Sequence, residues 1–285
     1  MIIGLDYASV DSNAAPNWDR AKDAGARFSI VRGTYETWGD PTLKRDWQTA
    51  ADAGLKRSAY LFPVMTAGHP EPAAQVKAFA DAVAAVGGLP RDGFPPALDI
   101  EFPGGIAKTG HTAAELMTWI RAAVGALRET FRVWPILYTS GRVWNDTDTD
   151  CLGNPPAPDL VECPLWLAHY SWKARIAFQR DSGQPPRVPT PWADADNWWF
   201  HQYQGDAVEF PGFSSTVDVS RFNVMSPGAK GARVTWVQRK IRMTGGTPGV
   251  YDDDMKSALI QFQTDHGLDG DGIVGLATFA ALCWA

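Results

Sequence analysis

The chain has 285 residues, 45% hydrophobic and 12% aromatic, with 13 tryptophans, which is enough apolar mass for one large domain or a large and a small one and too aromatic for a disordered chain. Its formal net charge is -6 with a pI of about 5.4 and no Lys/Arg run, so nucleic acid is not expected as a partner. No stretch approaches the roughly 20 apolar residues that span a bilayer, and Met1-Ile2-Ile3-Gly4-Leu5-Asp6 carries no basic or long apolar leader; neither membrane insertion nor a signal peptide is expected, and synthesis in a cytoplasm is.

Up to about residue 222, short apolar runs alternate with helix-like stretches. Ile2 to Asp6 reads as a strand and Asn17 to Ala26 as a helix, then Phe28 to Arg32 as a strand and Leu43 to Ala53 as a helix. Ser58 to Phe62 is a third strand, stopped by Pro63, and Ala73 to Val86 an Ala-rich helix. Ala97 to Glu101 is the fourth strand, His111 to Thr130 the next helix, and Trp134 to Tyr138 the fifth strand. Leu165 to Ala168, Trp198 to Tyr203 and Thr216 to Val219 then follow as strands without clear helices between them, separated by loops that include the prolines Pro185, Pro186, Pro189 and Pro191. Eight strands, five of them followed by helices, predict an α/β barrel with an incomplete helical jacket.

Ser226-Pro227-Gly228-Ala229-Lys230-Gly231 reads as a linker into a compact last segment. Val234, Val237 and Ile241 share one helical face, Met255, Leu259 and Phe262 a second, and Leu276, Phe279 and Leu282 a third, which predicts a small three-helix domain. The expected division is a barrel over 1–223, a linker over 224–231 and the helical domain over 232–285. Cys151, Cys163 and Cys283 are odd in number with no CxxC, so buried thiols are expected and a Cys151–Cys163 bridge stays open.

Carboxylates collect at predicted strand ends: Asp6 on the first, Asp99 and Glu101 on the fourth, Asp218 in the last. Acids are poor strand formers, but in a parallel barrel the C-terminal strand ends form the mouth where active sites sit. Residues i and i+2 of a strand point to one face about 6.5–7 Å apart at Cα, and two carboxyls sharing a cleft repel, which raises one pKa and keeps that group protonated. Glycoside hydrolysis requires such a pair, one acid for the departing oxygen and one carboxylate for the charge at the anomeric carbon. The tryptophans suit either core filling or sugar platforms. His69, His111, His169, His201 and His266 are scattered without HExxH, and neither GxSxG nor a Gly-rich phosphate loop occurs, so no metal and no cofactor is expected.

Taken in order, Gly4-Leu5-Asp6, Asp40, Ala59 to Phe62, Leu98 to Glu101, Leu137 to Ser140, Leu165 to Tyr170, Trp198 to Tyr203 and Val217 to Phe222 resemble the lysozymes of glycoside hydrolase family 25, the Chalaropsis type. The resemblance implies a flattened (β/α)5(β)3 TIM-like barrel that hydrolyses the β-1,4 bond between N-acetylmuramic acid and N-acetylglucosamine in peptidoglycan. It implies Glu101 as general acid and Asp99 as its assistant, either as nucleophile or by orienting the substrate's 2-acetamido group. Asp6 and Asp218 would complete an acidic floor, and Tyr60, Tyr138, Trp166 and Gln202 would line the sugar subsites. The chain departs from the family pattern in Tyr7-Ala8-Ser9, in Leu61 where histidine is common, and in the loops at 145–162 and 172–197.

The tail is similar to the peptidoglycan-binding domain type 1, through Val237-Gln238, Gly249-Val250-Tyr251, Ala258 to Gln263, His266-Gly267-Leu268 and Asp271-Gly272-Ile273-Val274-Gly275 with Thr278. A tethered module of this kind raises the local enzyme concentration on an insoluble wall, and a chain ending after Asn223 is expected to stay active on soluble fragments. The whole architecture resembles a bacteriophage endolysin, a monomer released through a holin pore. A bacterial autolysin and a wall-binding protein on an inactive barrel are the alternatives.

Overall fold

The computed structural model describes residues 1–9, 14–145, 151–170, 186–190, 192, 196–205 and 209–285. The loop expectations at 145–162 and 172–197 fall partly outside these residues, as do Pro185 and Pro191. Five strand–helix units open the chain: β1 (Ile2–Tyr7) and α1 (Trp18–Asp23); β2 (Ala26–Tyr35), its short hairpin partner β3 (Trp38–Gly39) and α2 (Leu43–Asp52); β4 (Lys56–Phe62) and α3 (Pro72–Ala85); β5 (Ala97–Asp99) and α4 (Ala113–Phe131); and β6 (Ile136–Ser140) with the single turn α5 (Gly141–Asn145). Three strands then follow, β7 (Leu165–Ala168), β8 (Phe200–Gln204) and β9 (Asp218–Phe222), and after them α6 (Ala232–Lys240), α7 (Asp253–Asp265) and α8 (Leu276–Trp284).

Pairing runs in parallel from β1 through β2, β4, β5, β6 and β7 to β8, and β9 closes the circle antiparallel to both β8 and β1. The result is an eight-strand closed α/β barrel with five β/α units and three further strands, followed by a helical part. Local chemistry sets the elements: Asn17 caps α1 through Arg20 N–H at 2.9 Å, and Thr112 and Glu115 form a capping box on α4.

Alternation along the strands divides the apolar side chains into two cores. Leu5, Val31, Leu61, Leu98, Leu137 and Leu167 pack with the helices, while Phe28, Ile30, Ala97, Ile136, Phe200 and Phe222 belong to a second cluster that runs on into the last three helices. Gly4 makes room for that second cluster, because a Cβ there would lie 2.1 Å from the Phe28 ring.

The helical part is seated on the barrel. Phe279 of α8 is fully buried and meets Phe94, Phe200 and Phe222 with ring centroids 5.8, 5.4 and 5.5 Å away, and Trp199 at 4.7 Å. Polar contacts surround this plug: Trp284 Nε1 donates to the Gly93 carbonyl (3.0 Å), Arg233 Nη1 to the Asn223 carbonyl (2.8 Å) and Trp236 Nε1 to the Glu162 carbonyl (3.2 Å). The segment expected as a linker is held as well, with Met225 bridged to Val274 and Ala229 hydrogen bonded to Tyr251. Within the module the Asp271-Gly272 turn is fixed by buried Gln263, whose side chain donates to Asp271 Oδ1 (2.8 Å) and accepts from Gly272 N (2.9 Å), with Gly272 at φ 68°.

Two strand limits differ from expectation. β5 ends at Asp99, so Glu101 lies two residues past the strand, although Ile100 N still donates to the Tyr138 carbonyl at 2.8 Å. β9 covers Asp218–Phe222 rather than Thr216 to Val219, which puts Asp218 at its beginning. All three cysteines are buried, and none of them forms a disulfide.

Candidate active site

The C-terminal ends of the parallel strands form one mouth, and β9, running the other way, brings its first residue there. Asp6 near the end of β1 therefore sits directly across from Asp218 at the start of β9. One cleft gathers Asp6, Asp99, Glu101 and Asp218 with Tyr60, Tyr138, Trp166 and Gln202, all eight of the residues expected from the sequence. Tyr7, Ala8, Arg32, Phe62 and Tyr170 complete its lining.

Gln202, 1% exposed, organises the floor. Its Nε2 donates to Asp6 Oδ1 (2.7 Å) and Asp218 Oδ2 (3.1 Å), and its Oε1 accepts from Tyr138 Oη (2.6 Å) and from Tyr170 Oη. The amide thus ties β8 to both β1 and β9 while leaving the acids as acceptors. Trp166 lies edge-on to Tyr138 at 4.6 Å and donates from Nε1 to Ser220 Oγ at 3.0 Å, which locks the wall. Burial pushes the Tyr138 and Tyr170 phenols above their ordinary values, so both keep the protons that they donate to Gln202.

Asp99 is 8% exposed, and its Oδ1 has no hydrogen-bond partner among the described residues. Burial raises its pKa well above the carboxylate range, and the neighbouring Glu101 and Asp218 raise it further, while Arg32 works against them. Asp99 and the half-buried Glu101 thus share one cleft in unlike surroundings, the more buried Asp99 holding its proton the more tightly.

Arg32 is the cation of this cleft that sequence reasoning passed over. Its Nε and Nη2 both lie 2.9 Å from Asp40 Oδ2, and Nη2 donates to Ser9 Oγ at 3.2 Å. Asp40 in turn accepts from Ser9 N (3.1 Å) and Oγ (2.9 Å) and from Thr42 N and Oγ1 (both 2.9 Å). Burial alone would raise the Asp40 carboxyl, but the bonds from Thr42 and Ser9 outweigh it and leave the carboxyl below its usual value. The signal for Arg32 was its place at the end of a predicted strand, level with the acids; Phe62 and Tyr170 stood in similar positions. His201 lies outside the cleft lining: its Nε2 bonds the His169 carbonyl at 2.8 Å, and burial pushes its pKa down to about 4. Among the described residues no group of three or more His, Cys, Asp or Glu side chains is placed to hold a metal ion.

Comparison with known proteins finds matches for both parts of the chain. The family model "Glycosyl hydrolases family 25" matches residues 5–212, and the model "Putative peptidoglycan binding domain" matches residues 230–282. The N,O-diacetylmuramidase of Chalaropsis sp is 29% identical over 230 residues, covering 78% of this chain and 96% of its own. The bacterial lysozyme from Streptomyces coelicolor superposes with a TM-score of 0.61 at 27% identity, over 78% of this chain and 92% of the other. The family GH25 lysozyme from Aspergillus fumigatus gives 0.60 at 27% identity, over 78% and 93% of the two chains.

Proposed function

The chain belongs to the glycosyl hydrolases of family 25, and from that premise we propose that it is an N-acetylmuramidase that cleaves the β-1,4 bond after N-acetylmuramic acid in bacterial peptidoglycan. The single observation that carries the reading is the convergence of Asp99, Glu101, Asp6 and Asp218 in one cleft, with Asp99 buried beside Glu101. The residue roles are part of the proposal. Glu101 gives its proton to the glycosidic oxygen as the C1–O bond breaks, and later takes a proton from the attacking water.

For Asp99 the burial favours the orienting role over direct attack. Once ionised, a carboxylate of raised pKa is the stronger base, suited to accept the N–H of the 2-acetamido group while the acetamido oxygen bonds C1. Asp6 and Asp218, joined through Gln202, keep the floor negative as positive charge develops at the anomeric carbon. Tyr60, Tyr138 and Trp166 supply the walls against which a pyranose ring lies.

We further propose that the C-terminal module binds the wall and that the whole protein acts as a monomeric phage endolysin, reaching its substrate from the host cytoplasm through a holin-type pore. The barrel-plus-module architecture and three buried cysteines outside any disulfide, suited to a reducing compartment, support this over a secreted autolysin. The test of the activity is a digest of purified walls in which new reducing ends and new free amino groups are both counted. Reducing ends alone are expected; new amino groups alone would place the cut in the peptide and end the glycosidase reading.

A further inference from the structure

The tryptophans settle mostly into cores, yet Trp38 is 74% exposed, and among the described residues no other tryptophan stands out as an exposed large side chain. It sits on β3, opposite Tyr35 of β2, which is itself 45% exposed. Directly opposed residues of an antiparallel pair share a face. Tyr35 also lies in register with Phe62 of β4 and stacks on it, with centroids 5.3 Å apart and planes at 16°. Phe62 lines the catalytic cleft. The three rings are therefore one strip that starts inside the cleft and ends on the exposed hairpin.

The backbone is shaped to make this strip. Arg32 pairs with Tyr60 and faces the cleft, so strict alternation would turn Tyr35, an odd number of residues later, to the opposite side. The register between β2 and β4 shifts between Arg32 and Thr34, and that bulge returns Tyr35 to the side of Phe62. Gly33 occupies the bulge because a Cβ there would stand 2.5 Å from the Phe79 ring. The tip is then fixed in place: Glu36, at φ 54°, donates its N–H to the Phe62 carbonyl (2.8 Å), its carboxylate lies 2.7 Å from His69 Nδ1, and Asp40 N donates to the Gly33 carbonyl (2.9 Å). Two large rings are thus held facing water on a braced two-residue turn.

We propose that Phe62, Tyr35 and Trp38 form a sugar-stacking extension of the cleft that holds the peptidoglycan glycan strand beyond the residues flanking the cut. The occupant is a β-1,4-linked amino-sugar chain, because the strip is continuous with the acid-floored cleft, and flat aromatic faces match the apolar faces of successive pyranose rings. This rests on the muramidase reading above. The extension makes the enzyme prefer long strands over short ones, through tighter binding and not through a faster chemical step.

The test uses the full chain and peptide-free oligomers of alternating N-acetylglucosamine and N-acetylmuramic acid, a tetrasaccharide and an octasaccharide. Trp38→Ala and Tyr35→Ala should each lower kcat/KM on the octasaccharide about three- to tenfold, mainly through KM. The loss on the tetrasaccharide should be smaller, and Trp38→Phe should restore much of the octasaccharide preference. An octasaccharide-to-tetrasaccharide ratio equal to wild type, or an equal loss on both lengths, overturns the extension while leaving the muramidase intact. If wild type cleaves neither oligomer, the substrate reading fails and the extension falls with it.

Discussion

The two ends of the barrel are built from the same alternating strands and have opposite characters. At the mouth the inward positions are Asp6, Asp99, Tyr138 and Gln202, with the Gln202 amide tied to both Asp6 and Tyr138. At the base they are Phe28, Phe200 and Phe222, which meet Phe279 from the last helix in an aromatic plug. The mouth keeps a buried carboxyl at raised pKa, an arrangement unfavourable to stability; the base gains stability from rings buried on all sides. Polar cleft and aromatic plug are segregated along one axis, and the C-terminal helices share the barrel's core.

That contrast can be broken from either end. The largest effect belongs to the mouth: Glu101→Gln should reduce the rate of wall hydrolysis by about 100- to 10,000-fold, with a melting temperature close to wild type. A large drop in melting temperature together with activity would mean that the mouth also supports the fold. At the base, Phe279→Ala should cost about 3–5 kcal/mol and leave turnover per folded molecule unchanged, as read by thermal melts and by activity at low temperature. A chain ending after Asn223 would bare Trp199, Phe200 and Phe222, so we expect it to aggregate or unfold, contrary to the reading of the tail as a detachable module. A soluble truncated barrel with wild-type stability would restore the detachable view.

The smallest effect is a gain. Burial and the neighbouring acids raise the Asp99 carboxyl in the folded state. Below its unfolded value it is protonated in both states and costs nothing; as pH rises the unfolded chain ionises first, and stability falls until the folded value is passed. Asp99→Asn removes that loss. Its melting temperature should exceed wild type near neutral pH, by an amount that shrinks toward about pH 4, the ordinary carboxylate value. A variant no more stable than wild type at neutral pH would show that Asp99 is not strained by its surroundings.

Much of the mouth was legible in the sequence because strand-end acids are costly and therefore informative. Asp6, Asp99 and Glu101 announced themselves that way. Asp218 reached the same mouth for a reason no local pattern contains: β9 runs antiparallel, so its first residue lies where the other strands end. Glu101 was placed within a strand that stops two residues earlier, since an apolar run does not mark where ladder bonds end. The docking of the last helices was not legible at all. Phe279 and Leu282 would form the same stripe whether α8 faced only its own bundle or also the barrel, and periodicity cannot tell these apart. The bulge at Gly33, which turns Tyr35 toward the cleft, is likewise set by Phe79 of a distant helix.

The identity of the sugar at the newly made reducing end tests the muramidase assignment most directly. Purified walls digested by the full chain are reduced with borohydride and hydrolysed, and the reduced amino sugars are separated. Wild type should yield reduced muramic acid and Glu101→Gln almost none. Reduced glucosamine as the main product, or equal yields from the two proteins, would contradict that assignment.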